Sequence, residues 1–302
     1  MPVKESVKSF LKLFIKIAIT AVCLWYVSRK IDWGKSFDII QHSNWLWLFV
    51  AVLLFTASKI VSSFRLNIYF KNINVQQTQK KNLQLYWLGM FYNLFLPGGI
   101  GGDAYKVILL NRTYQYPAKQ LTAAVLLDRI SGVVGLGVLA VIYYYFVFTG
   151  ENYSLTLLIL LPLGLLIYYF FVKKIFPSFI KGFWPTLWLG LAVQMLQVLC
   201  AYAIMMALHI SEHQTVYILL FLLSSIVAIL PLTIGGLGAR EVVFLWGSNT
   251  LLHLTNDPTP VSISISFYLI TLIISFIGLY WVYKTPLKKD VKNHIPISEL
   301  SP

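Results

Sequence analysis

Six ionisable residues stand within or beside long apolar runs, and their spacing points to chemistry with anions. Asp103 and Lys106 lie one helical turn apart, Asp128 and Arg129 are adjacent, and Arg240 and Glu241 form a third adjacent pair. Charge at membrane depth is expensive and by default functional. Two of the groups follow chain breaks of similar make-up. Pro97, Gly98, Gly99, Ile100, Gly101 and Gly102 precede Asp103, and Pro231, Leu232, Thr233, Ile234, Gly235, Gly236, Leu237 and Gly238 precede Ala239. Helices restarting at Asp103 and Ala239 aim their positive N-terminal ends at the breaks, and such ends suit anions. Lys106, Arg129 and Arg240 are therefore candidate phosphate ligands. Asp103, Asp128 and Glu241 would lower the cost of holding those bases in an empty site.

Each residue also has a purely structural reading. Asp103 serves equally as a helix cap and Glu241 as a complement to the helix dipole. Asp128 and Arg129 would serve as an ion-pair set that locks helices together. The glycines would then simply let helices pack closely. Lys59 is expected to snorkel to the inner interface, and Arg65 is expected to be interfacial. His209, His213 and His253 read as surface residues, with no acidic partner at metal spacing. Cys23 and Cys200 both lie inside apolar runs, which excludes a disulfide framework or a zinc site. No phosphate loop or nucleophile elbow is present, and no strand precedes the glycine break as a dinucleotide fold would need. No enzyme activity, cofactor or metal is therefore expected.

The elements that would position these residues are membrane spans. Of 302 residues, 58% are hydrophobic and 12% charged, with mean hydropathy +0.74, against about 25% charged in a soluble domain. The net charge of +13 does not form a nucleic-acid stripe; the bases cap apolar runs, where topology puts them. Runs near the ~20 residues that cross a bilayer fall at 10–28, 45–68, 119–148, 154–172, 183–208 and 261–283. Met1 to Thr20 has no small-residue cleavage site and reads as an uncleaved start to the first span. Regions 83–115 and 214–254 are apolar but broken. The piece 83–97 would be only about 22 Å long, too short for a core of ~30 Å. These two regions read as hairpins that re-enter the membrane.

Lysine and arginine cluster near 71–81, 112–119 and 173–181, while the loops near 149–153, 209–213 and 254–260 hold neither. The positive-inside rule then puts both termini in the cytoplasm of a multi-pass cell-membrane protein. One outer loop dissents, with Arg29, Lys30 and Lys35 partly offset by Asp32 and Asp38. The predicted fold class is all-α: one transmembrane domain over 1–302, with six full spans and two re-entrant hairpins. Halves 1–150 and 151–302 repeat with inverted topology. Paired interrupted segments of that kind mark a transporter's central site. Trp45, Trp47, Trp184 and Trp281 read as an aromatic belt.

Three segments also carry a resemblance: Leu96 through Gly102-Asp103-Ala104-Tyr105-Lys106, then Leu127-Asp128-Arg129-Ile130-Ser131-Gly132, then Pro231 through Gly238-Ala239-Arg240-Glu241. In that order they resemble the lysylphosphatidylglycerol synthase transmembrane region, a flippase-like family, over about 8–285. Members with a soluble C-terminal domain make an aminoacylated phospholipid there and flip it with the membrane part. This chain ends about eighteen residues after its last span, so the resemblance implies the flipping half without the synthase. The implied function is a flippase or facilitator for an anionic or phosphate-bearing lipid, which leaves the lipid unnamed. Its partners would be the lipid itself and a separate lipid-modifying enzyme. Two other readings stand beside it: a non-transporting partner of a lipid synthase or glycosyltransferase, and an intramembrane transferase using Asp103 or Asp128 as base.

Overall fold

The computed structural model describes residues 18, 21, 22, 24–27, 29, 33–95, 100–230, 233, 236–254 and 257–284. Pro97, Gly98, Gly99, Pro231, Gly235, Cys23 and most of the expected first span lie outside them. The described residues form ten α-helices and one 3₁₀ segment, with no strand among them. The helices are α1 (Trp33–Gln41), α2 (Trp45–Asn72), α3 (Gln79–Phe95), α4 (Gly101–Tyr114) and α5 (Ala118–Val147). They continue with α6 (Asn152–Ile175), α7 (Phe183–Ala207), α8 (Gln214–Ile229), α9 (Ala239–Leu252) and α10 (Thr259–Tyr283). The 3₁₀ segment Pro177–Gly182 joins α6 to α7.

Among the described residues, five helices are long and apolar enough to cross a membrane: α2, α5, α6, α7 and α10. The 14- to 17-residue helices beside the two breaks reach only about 21–26 Å at ~1.5 Å per residue. None of the four spans a core of ~30 Å alone. The members of each broken pair, α3 with α4 and α8 with α9, pack against each other.

Local chemistry explains where these helices begin. Asn44 starts α2, its side chain accepting from the Leu46 amide at 3.0 Å. The α4 start is satisfied from α3, where the Asn93 side chain accepts from the Gly102 amide at 2.8 Å. Ahead of α9, Gly236 and Gly238 have φ of +81° and +83°, a region that residues with a Cβ rarely occupy. The Glu241 carboxylate then reaches back to accept from the Gly238 amide at 2.6 Å.

Glycine serves packing as well as the breaks. The Gly102 backbone lies against the Gly89 carbonyl, so α3 and α4 cross with no side chain between them. A Cβ on Gly135 would meet the Gly190 carbonyl at 3.0 Å, which sets the α5–α7 crossing. Two apolar clusters fill the bundle. One centres on Phe55, Phe221 and Phe267, the other on Tyr69, Phe179 and Phe183. Outside them, α6 buries little of itself and exposes Ile159, Leu163, Leu166, Ile167 and Phe170. A helix apolar all round but hardly buried by protein is one whose solvent is lipid. Of the residues expected in an aromatic belt, Trp45 and Trp184 are 76% and 60% exposed and Trp47 38%, while Trp281 packs against the core.

Candidate functional site

The broken pairs and the spans α2, α5 and α7 enclose a polar cavity of about 280 Å³. Its wall carries Lys59 and Arg65 from α2, Asp103 and Lys106 from α4, Asp128 and Arg129 from α5, and Arg240 from α9. A second chamber of about 280 Å³ adjoins it, sharing Lys59, Asn93 and Arg129 and adding Thr233 and Gly236 from the second break. The second break and the helices on either side of the first therefore border one space. Five of the six charged residues singled out in the sequence meet there, and Glu241 does not.

The cations on the α4 side share a carboxylate. Asp103 accepts from Lys106 Nζ through Oδ1 at 2.9 Å and from Arg129 Nε through Oδ2. Lys106 is only 4% exposed, and its ammonium lies 4.6 Å from the centre of the Tyr86 ring. Gly89 makes this passage possible, because a Cβ there would overlap Lys106 Cε. Asp103 is thus an ion-pair residue, and the capping role expected of it falls to Asn93.

Asp128 and Arg129 do not pair with each other. Neighbours on a helix point about 100° apart and cannot share a partner. Arg129 turns to Asp103, while Asp128 Oδ1 accepts from Arg65 Nε at 2.7 Å. Arg65 is 4% exposed, so the expected interfacial position is corrected to a buried one. Its Nη1 is buried with no protein partner, and the residue lines the cavity.

Cations on the other side rest on rings. Arg240 donates to Ser225 Oγ at 3.2 Å, and its guanidinium lies 5.0 Å from the Phe267 ring centre and 6.0 Å from that of Phe221. Lys59 Nζ lies 4.5 Å from the Phe55 ring centre. Phe55 and Phe221 each pack edge-on to Phe267, so one aromatic platform joining α2, α8 and α10 carries both bases. Among the described residues, neither base has a carboxylate at ion-pair distance. The snorkelling expected of Lys59 is replaced by a place in the cavity wall. Glu241 is 1% exposed and spends its oxygens on the Gly238 amide and on Ser264 Oγ at 2.8 Å, so its role is to fix the start of α9.

A third feature touches the site from outside. An apolar groove of about 340 Å³ runs between α4 and α5, walled by Ile100, Ala104, Val107, Ile108, Val125 and Leu126. Ile100, Ile108 and Leu126 are each close to half exposed. Asp103 and Arg129 line this groove and the polar cavity alike. His209, His213 and His253 are exposed on loops, and no group of metal-ligating residues occurs among the described residues.

Helices of this length and polarity around a buried charged cavity define a polytopic integral membrane protein. Residues 13–282 match the model of the lysylphosphatidylglycerol synthase TM region, and the chain belongs to that family. It is similar to a UPF0104 membrane protein of Pyrococcus horikoshii, 23% identical over 53% of this chain and 47% of that protein. A UPF0104 membrane protein of Archaeoglobus fulgidus is 24% identical over 33% of this chain and 29% of its own. The matched stretches thus span less than half of either relative.

Proposed function

We propose that this chain is a lipid flippase or facilitator that moves an anionic or phosphate-bearing headgroup across the cell membrane. In this reading both termini are cytoplasmic and the two broken helix pairs are re-entrant hairpins of an inverted repeat. The observation that carries the proposal is the shared position of Asp103 and Arg129, which line both an apolar groove and a cation-rich cavity. A soluble ion needs the cavity alone. A lipid needs both: a polar chamber for its headgroup and an apolar slot through which its chains stay in the bilayer. Arg129 stands at that junction, and its planar fork grips two phosphate oxygens at once, as lysine does not.

The experiment is movement of a fluorescent anionic phospholipid by the purified protein in vesicles. Arg129→Ala should abolish movement and Arg129→Lys should lose most of it. Both proteins must be monodisperse, because Arg129 also holds Asp103. Lack of movement by the wild-type protein alone, with activity restored by a co-purified synthase or glycosyltransferase, would select the partner reading. Release of a covalently altered lipid would instead select an intramembrane transferase.

A further inference from the structure

The described cavity wall carries five bases, Lys59, Arg65, Lys106, Arg129 and Arg240, against two carboxylates, Asp103 and Asp128. That leaves an excess of three positive charges in one cavity. The placement is uneven. Arg65 is matched by Asp128, and Lys106 with Arg129 share Asp103. Lys59 and Arg240 have the aromatic platform beneath them instead. A ring face attracts a cation through its quadrupole but leaves its charge in place. The fold thereby holds two bases without cancelling them. The buried, unpartnered Nη1 of Arg65 adds a donor on the opposite wall.

Resting on the transport reading above, we infer that the cavity selects phosphomonoester headgroups over phosphodiesters, with Lys59 and Arg240 as the specificity-determining pair. A phosphomonoester carries about −1.5 to −2 charges at neutral pH and three acceptor oxygens. A phosphodiester brings one negative charge and two free oxygens, which leaves an excess of two cations in a medium where each unpaired charge is costly. Headgroups with added amines, such as a lysyl ester, raise the positive excess further and are disfavoured by like-charge repulsion. Arg129 and Lys106, already shared with Asp103, grip either kind of phosphate; the ring-held pair senses the second charge.

The test is competitive binding to the purified full chain, read by native mass spectrometry at pH 8. The probes are phosphatidic acid and phosphatidylglycerol with identical short acyl chains. Wild-type protein should prefer phosphatidic acid by about tenfold, the factor that one charge-assisted contact supplies. Neutral Lys59→Met with Arg240→Gln should bring the preference to about twofold or less while phosphatidylglycerol binding persists. Charge-retaining Lys59→Arg with Arg240→Lys should keep the preference, which separates lost charge from lost fold. Equal binding of the two lipids by wild-type protein, or an undiminished preference in the neutral variant, overturns the inference. Glycerol 3-phosphate and inorganic phosphate identify the source of the phosphate: weak displacement by both supports a lipid. Displacement by glycerol 3-phosphate as strong as by short-chain phosphatidic acid would assign the same charge selectivity to a soluble compound. Charge-selective binding without lipid movement in vesicles would uphold this inference and sink the transport reading. Movement indifferent to headgroup charge would do the reverse.

Discussion

In the α3–α4 pair, Lys106 and Arg129 are held by the Asp103 carboxylate; in the α8–α9 pair, Arg240 lies over the rings of Phe267 and Phe221. Glu241, one residue away, has turned its oxygens to Gly238 and Ser264. The difference teaches that a buried cation can be tied to the fold in two ways. An ion pair couples it to stability, because either partner alone is left stranded. A ring supports it loosely and keeps its charge on offer. The first pair therefore carries bases whose loss costs stability as well as binding, and the second carries a base whose loss costs chiefly binding.

The sharpest break of this comparison is Asp103→Ala. It removes a carboxylate shared by two bases, and a broken buried pair costs ~3–5 kcal/mol, so this variant should unfold earliest on heating in detergent. Its removal with both partners, as Asp103→Ala, Lys106→Met and Arg129→Met, should recover much of the loss. Next in size are Asp128→Ala and Arg65→Ala, each expected to destabilise by ~3 kcal/mol, with Asp128→Leu combined with Arg65→Met nearly neutral. Equal melting of the single and combined variants would show that this pair does not lock α2 to α5.

Glu241→Gln should cost ~1–2 kcal/mol through a weakened helix start, and the folded fraction should move lipid at the wild-type rate. Arg240→Ala should be the mildest for stability, ~1 kcal/mol for one hydrogen bond and a ring contact. Yet its lipid movement should be lost. A melting shift for Arg240→Ala as large as that for Asp103→Ala would erase the distinction between the two pairs.

Much of this arrangement was readable in the sequence because lipid leaves strong marks. The run 119–148 became Ala118–Val147 and 154–172 became Asn152–Ile175, since a helix that must cross hydrocarbon is apolar along its whole length. The run 45–68 became the longer Trp45–Asn72: hydropathy fades at Arg65 and Asn67, but the backbone hydrogen bonds continue. The breaks were legible from their Pro and Gly. Lys59 and Arg65 were misplaced because hydropathy does not tell which way a side chain points. A finer signal was present on α2, where Ser58, Ser62, Arg65 and Tyr69 follow helical spacing and all are buried. The partnership of Arg65 with Asp128 spans 63 positions, and no local pattern specifies such a pairing. Nor does any composition rule separate Glu241 from the cavity, since that follows from where Ser264 of α10 comes to rest.

The Gly89–Gly102 crossing has a mechanical consequence. With bare backbone on backbone at that point and Asn93 fastened to the Gly102 amide, α3 and α4 are tied together as one jaw of the site. The start of α9 is built differently, on two glycines at positive φ and a carboxylate latch, and torsional freedom is concentrated there. If the site opens alternately to each face of the membrane, the second jaw should do most of the moving. Alanine at Gly236, where φ is positive and the added Cβ would lie 2.9 Å from that of Ala228, should then strain this turn and slow the movement.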